Sequence, residues 1–293
     1  MADVKELRYE DKPMLEEYLS KFHHEMWAMN AGYLYGYKTG NYVTSYFFYH
    51  DTLVLLYSKG KTFYLPVPPL NPDGSKLREV LDYVFNTFPV RLCESFPESL
   101  RLWVEDSYDL AFGVEEFICH NDRARTFSGP ELKKKRNSVN KFIKDYDGIE
   151  IRPYDPSWRE ECLILMNKWK EQFTHHRNEK LVDSVYSMGM LDNWDKIGLR
   201  FDLVIFKNQL IAYNIGYAGK SDVWYHLVLK YDRSINGLCD FGFMKMANTF
   251  GDKQYVNQGP TPYTNPGLMA SKKKFGPVRS YRSYVLIPKK SKT

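Results

Sequence analysis

Cysteine is scarce in this chain of 293 residues, and its four copies, Cys93, Cys119, Cys162 and Cys239, are far apart in sequence. No two are spaced as a CxxC redox pair or a metal knuckle, so the expectation is four reduced, mostly buried thiols in a cytoplasmic protein. No apolar run is long enough to span a membrane, and the opening residues Met1-Ala-Asp-Val-Lys-Glu carry no apolar signal segment. The chain has no Gly-x-Ser-x-Gly elbow and no ligand cluster, so neither a serine hydrolase nor a metal site is expected, and no cofactor is implied. The histidine pairs His23–His24 and His175–His176 are adjacent in sequence. On a helix their side chains would diverge by about 100°, a poor geometry for two metal ligands. Gly32-x-x-x-Gly36-x-Lys38 is one residue short for a phosphate loop and lacks the Lys-Ser/Thr pair. The Tyr- and Gly-rich stretch 31–50 is therefore read as turns. A net charge of +5 permits an anionic partner without demanding one.

What is present is ample apolar and aromatic material, 43% and 16% of residues, with 23 Tyr and 18 Phe. That supports one large domain or two of ordinary size. The organising stretch is 127–144. Ser128 can cap a helix, Pro130 suits its first turn and Glu131 complements its positive end. Leu132, Val139 and Ile143 then share one face with Arg136, while Lys133, Lys134, Lys135, Lys141 and Lys144 cover the others. Such a helix is either a solvated connector or a phosphate-contacting surface. Before it come a short strand at 4–9 and a helix capped by Asp11. Strands at 52–57 and 62–65 are joined by a tight turn, a helix covers 75–88, and strands follow at 90–93, 100–104 and 116–119. After it the order returns: a strand at 150–154, a helix capped by Asp155, and a second helix at 181–191. A hairpin of 201–206 and 210–217 leads to a strand at 223–231 and a helix at 238–249. A strand at 254–257, a short helix opened by Pro266 and a strand at 280–287 complete the chain. The repeat predicts an α+β protein with mixed, mostly antiparallel sheets: one domain over 1–125, a basic linker helix over 126–146 and a second domain over 147–293.

The central segment Gly129, Leu132, Lys135, Arg136, Asn137, Asn140, Phe142 resembles the motif of the family that includes the C-terminal domain of phosphatidylglycerol lysyltransferases. Lys230-Tyr231-Asp232 followed by Gly237 resembles that family's Glu-Lys-Ala-Asp…Gly segment, with Leu229 replacing the glutamate. Gly267-Leu268 through Lys272 to Phe275-Gly276 also resembles a segment of the Fem-type peptidyltransferases. The resemblance implies two tandem domains of the acetyltransferase (GNAT) fold, without the membrane-spanning half of the full lysyltransferases. It implies aminoacyl-tRNA, or another polyanionic donor, as a partner, with an anionic lipid headgroup or small amine as acceptor. Donor contacts are expected from Lys133, Lys134, Arg136 and Asn140, and from Lys230, Arg233, Asn257 and Lys274. Lys272 is the expected oxyanion partner, since spacing aims it inward with Leu268 and Phe275, and Asp232 the expected proton acceptor. Two other readings stand beside this one: an acyl-CoA-dependent N-acyltransferase, and a non-catalytic binder of RNA or anions. Against CoA, the turn at 233–237 is misspaced for the glycines that let a backbone approach a pyrophosphate.

Overall fold

The structure, a computed structural model, describes residues 3–22, 25–38, 42–71, 75–174 and 183–289. The histidine pairs at 23–24 and 175–176 and the start of the helix expected at 181 lie outside them. The chain folds as two compact units. The first comprises Met1–Glu116, Pro260–Met269 and Ser280–Thr293, the second Phe117–Gly259 and Ala270–Arg279.

The first unit begins with β1 (Lys5–Glu6), α1 (Lys12–Lys21) and α2 (Ala31–Gly36), then β2 (Tyr42–Tyr49), β3 (Thr52–Lys59), β4 (Thr62–Leu65), α3 (Leu77–Thr87) and β5 (Val90–Pro97). α3 follows from its pattern: Leu77, Val80, Leu81 and Val84 recur at helical spacing and all are buried. β3 is apolar without alternation and is buried from Thr52 to Tyr57, as a strand covered on both faces must be. The stretch read as turns contains α2, whose six residues are all buried. Asn30 makes this possible by capping it: its carboxamide oxygen accepts the Tyr33 amide at 2.8 Å. The strand expected at 100–104 is a 3-10 helix, Glu98–Trp103, because Pro97 ends β5 and the Arg101–Glu105 ion pair at 2.6 Å favours a helical turn. The next strand, β6 (Tyr108–His120), is longer than expected.

The second unit contains α4 (Asn121–Thr126), α5 (Lys133–Asp145), β7 (Glu150–Pro153), α6 (Arg159–Thr174) and α7 (Asp183–Ile197). There follow β8 (Arg200–Phe206), β9 (Gln209–Ala218), β10 (Val223–Tyr231), α8 (Leu238–Thr249) and β11 (Tyr255–Pro262). The chain ends with α9 (Pro266–Lys273) and β12 (Arg279–Pro288). The β8–β9 hairpin turns on Lys207 and Asn208, both at positive φ, the two-residue geometry whose twist matches the flanking strands.

The pairing senses repeat. In the first unit β1 to β4 are successive antiparallel neighbours, β4 lies parallel to β5, and β12 adds antiparallel to β5. In the second, β7 to β10 are antiparallel and β10 lies parallel to β11. Each unit is thus strand, two helices, three antiparallel strands, a helix and a parallel strand. The boundaries drawn from sequence follow chain order, whereas the units do not: residues 260–269 and 280–293 belong with the first.

Helix α5 sits within the second unit. Leu132, Val139 and Phe142 share a buried cluster with Leu238 and Phe241 of α8. Ile143, expected in the core, is 46% exposed, and Phe142 is buried in its place. Leu132 lies in a 3-10 turn, Pro130–Leu132, which advances about 120° per residue and shifts the phase of the stripe. The close approach of α5 to α8 demands a glycine at 237. Its φ is +84°, and a Cβ there would stand 2.6 Å from the Ser138 carbonyl oxygen and 2.9 Å from the Phe142 Cβ. Gly237→Ala should therefore lose about 2–4 kcal/mol of stability, from left-handed strain and overpacking together. Denaturant titration of the variant checks this, and a change under about 0.5 kcal/mol would refute the packing account.

Candidate functional site

Parallel pairing of β10 with β11 is confined to Val223↔Tyr255, Trp224↔Val256 and Tyr225↔Asn257. Beyond it β10 bulges between His226 and Val228, and β11 turns at Gly259, whose φ is +82°. Asn257 is wholly buried, and its side-chain oxygen accepts the Gly259 amide at 2.8 Å, fixing the turn. The turn directs the Gly259 carbonyl at Lys272, whose ammonium donates to it at 2.8 Å. Lys272 is half-buried, whereas Lys273 and Lys274 are exposed, as helical spacing requires. Phe275 anchors the segment against Phe127 and Phe243, but Leu268, expected in the core, is 37% exposed.

Beside Lys272 lies His226. Its Nε2 is 2.8 Å from the Asn214 side-chain oxygen, while the Asn214 amide nitrogen donates to the Gly242 carbonyl at 2.8 Å. An acceptor facing Nε2 assigns the proton to Nε2 and leaves Nδ1 the basic nitrogen. Burial, and then the Lys272 charge, lower the imidazole pKa to about 3. Cys119 accepts a hydrogen bond from the Gln258 amide at 3.1 Å, and burial pushes its thiol up to about 12. The thiols of Cys162 and Cys239 are likewise pushed up by burial, to about 12 and about 11. Such thiols are poor nucleophiles at neutral pH. The end of the β10–β11 pairing therefore brings together a fixed cation, a neutral imidazole and the side-chain amides of Asn214, Asn257 and Gln258, each engaged by a neighbour.

Asp232 is elsewhere. It stands six residues beyond His226 on or just past β10, roughly 20 Å at the strand rise of about 3.3 Å per residue. Burial works to raise its carboxyl pKa, but Lys168 at 2.6 Å, Ser234 and Gln172 outweigh burial and hold it well below the usual carboxylate range. Its geometry is that of a turn clamp. Arg233 is exposed and braces the same turn, donating to the Gln172 backbone carbonyl at 3.2 Å. Lys230 is 1% exposed, with its ammonium 3.6 Å from the centre of the Trp169 indole, a contact worth about 2 kcal/mol when desolvated.

On α5, Lys133, Lys134 and Asn140 are exposed and face solvent. Arg136 is committed inward: it donates to the Phe127 carbonyl at 2.5 Å and to that of Gly129 at 3.4 Å. Lys135 pairs with Asp240 at 2.6 Å. Arg123, on the unanticipated helix α4, joins the two resembling segments, donating to Glu131 at 3.1 Å and to the Lys274 carbonyl at 3.2 Å. Gly276, at φ +60°, leaves room for that guanidinium. Neither Arg123 nor His226 stands out in the sequence, since each is defined by its partners on distant segments. Among the described residues no group of three or more His, Cys, Asp and Glu is placed to hold a metal ion, and no helix is long and apolar enough to cross a membrane.

Because the folded pKa of His226 lies below that of a free imidazole, its contribution to stability is present above about pH 6.5. It should fall away as the pH drops toward about 3. Histidine NMR titration should find one ring neutral, protonated on Nε2, throughout pH 5–8, and His226→Gln should flatten the acid limb of the stability profile. A His226 ring titrating near pH 6.5 would contradict the assignment.

Comparison with known proteins follows this geometry. No curated protein matches the chain. Among solved structures, a conserved protein of unknown function from Bacteroides thetaiotaomicron superposes with a TM-score of 0.79 at 20% identity, covering 99% of this chain and 100% of that one. L-PGS from Bacillus licheniformis gives 0.64 at 14% identity, covering 99% and 94%. A tandem GNAT protein from the clavulanic acid biosynthesis pathway gives 0.56 at 8% identity, covering all of both chains. At these identities the likeness is one of fold, and it makes this chain an α+β protein of tandem GNAT-like architecture. The family model described as phosphatidylglycerol lysyltransferase, C-terminal, matches residues 96–287, and the chain belongs to that family.

Proposed function

We propose that this protein transfers an aminoacyl group from aminoacyl-tRNA to a lipid headgroup or to a small amine or hydroxyl acceptor, at the opening between β10 and β11. One observation carries the reading: Lys272, on a segment shared with aminoacyl-transferring families, is held by the Gly259 carbonyl beside a neutral His226. An aminoacyl ester is already activated. Its transfer needs alignment, a cation or donor at the developing oxyanion, and an environment that does not compete for the proton. Lys272 supplies the cation, and His226, kept neutral, adds no second positive charge. Across the whole reaction a bond forms from the attacking nitrogen or oxygen to the carbonyl carbon, the ester bond to the ribose breaks, and the attacking group's proton ends on the departing ribose oxygen.

The exposed lysines of α5 give the polyanionic donor a surface, while Arg136 and Lys135 hold that surface in place. Lys230, Asn257 and Lys274 are proposed to act near the donor, Lys230 from behind Trp169 and Asn257 through the Gly259 turn. Asp232 and Arg233 shape the turn that leads into α8. Acyl-CoA is disfavoured as donor, because the space at Gly237 that a pyrophosphate loop would use is taken by the backbone of α5.

Lys272→Ala should lower turnover by about 10²- to 10³-fold with little change in melting temperature, while Lys273→Ala stays near wild type. Steady-state kinetics with charged tRNA separate the two, and equal losses, or an unfolded Lys272→Ala protein, would return Lys272 to a structural role. tRNA binding should weaken with salt, with a log-log slope of roughly −0.7 to −0.9 per phosphate neutralised. Replacing Lys133, Lys134 and Lys141 with Ala should flatten that slope without loss of fold. Salt-insensitive binding would count against the RNA surface.

A further inference from the structure

Strand β7 is an edge strand of the second unit. It pairs with β8 along one side, and among the described residues no strand pairs with its other side. The pairing has no register shift: Glu150, Ile151, Arg152 and Pro153 stand opposite Ile205, Val204, Leu203 and Asp202. The Tyr154 amide continues it, donating to the Phe201 carbonyl at 2.9 Å. In an antiparallel ladder, residues bonded to the partner strand alternate with residues whose N–H and C=O point away. Tyr154, Arg152 and Glu150 are therefore bonded to β8, while Ile151 and Pro153 turn their main-chain groups outward. Pro153, which has no N–H, sits where no donor is missed. Ile151 is left with a donor and an acceptor aimed off the edge.

The side chains alternate as well. Glu150 and Arg152 share one face, and the Arg152 Nε donates to the Glu150 carboxylate at 2.8 Å. Ile151 lies on the other face, beside α5 and α8. There a cleft of about 240 Å³ is lined by Ile143, Tyr146, Ile149, Ile151, Phe241 and Lys245. Ile143 is 46% exposed and Ile151 37% exposed, so an open strand edge adjoins uncovered apolar surface. A second strand laid along β7 would cover both.

The charges say which strand fits. Two copies of β7 related by a two-fold axis run antiparallel, and a two-fold interface must be complementary to itself. With Ile151 opposite its own mate, Glu150 falls opposite Arg152 of the partner subunit, and Arg152 opposite Glu150 of the partner subunit. Ile151 then forms the hydrogen-bonded pair, and both charge pairs take the non-bonded positions, where side chains approach closest. Centring the pairing on Glu150 or Arg152 instead would set like charges opposite one another and call on main-chain groups already bonded to β8.

We propose that this chain forms a two-fold dimer through β7, with Ile151 at the axis, Glu150 of each copy against Arg152 of the other, and the apolar surface around Ile143 and Ile151 covered by the pairing. The surface belongs to the second unit and stands independently of the transferase reading.

Sedimentation velocity of the full chain tests this from about 1 to about 100 μM, since short interfaces with few anchors bind in that range. The mass should rise from one chain to two with concentration. Glu150→Arg and Arg152→Glu each bring like charges together across the axis, and each should weaken dimerisation about tenfold or more. An equimolar mixture of these two variants restores both opposite-charge pairs and should dimerise as wild type does. The double variant E150R/R152E should do the same. Ile151→Pro removes the outward donor and none that β8 uses, so it should give a folded monomer. Ile151→Lys, which sets two ammonium groups face to face at the axis, should do so too, and circular dichroism checks that each variant is folded. The proposal is overturned by a monomer across the whole range in wild type, by a dimer that the charge reversals leave intact, by a mixture of the two reversals that stays monomeric, or by a folded Ile151→Lys protein that still dimerises.

Discussion

Two parallel strands that stop pairing early shape the candidate site of this protein. Between β10 and β11 the ladder ends after three residue pairs, and the backbone beyond must find other partners. Asn257 takes the Gly259 amide and Lys272 takes the Gly259 carbonyl, so the break in the sheet is sealed by the residues that make the site. A cation in such a place is held at modest cost, since a backbone carbonyl solvates it and His226 stays neutral beside it.

The surrounding architecture serves to hold this break in the ladder. In the second unit a chain of contacts runs from Arg136 on the carbonyls of Phe127 and Gly129, through Glu131 and Arg123, to the carbonyl of Lys274, two residues beyond Lys272. The residues shared with the lysyltransferase motif are thus largely engaged in packing. Gly129, Lys135, Arg136 and Phe142 lock α5 to α8 and the 127–131 loop, and Gly237 admits the contact. A motif can thus mark a family through its architecture.

Much of this was legible in the chain. Amphipathic helices such as α3 and α6 and hairpins such as β8–β9 declare themselves by period and turn chemistry, and Pro266 with its spacing correctly singled out Lys272 from Lys273 and Lys274 as the lysine turned inward. What escaped had non-local causes. The burial of α2 depends on Asn30 and on sheet contacts that no local pattern reveals. The grip of Lys168 on Asp232 is likewise a matter of tertiary geometry that no local pattern shows. Arg136 shared a face with apolar residues, and only the 127–129 loop shows what it does there.

The central claim is that the opening between β10 and β11, with Lys272 at its edge, is where the aminoacyl group reacts. A crystal structure with a non-hydrolysable aminoacyl-adenosine analogue, amide-linked at the ribose, tests it most directly. The account predicts the analogue's carbonyl oxygen within about 3.1 Å of the Lys272 ammonium. An analogue bound with its carbonyl away from Lys272, or at Asp232 instead, would contradict it.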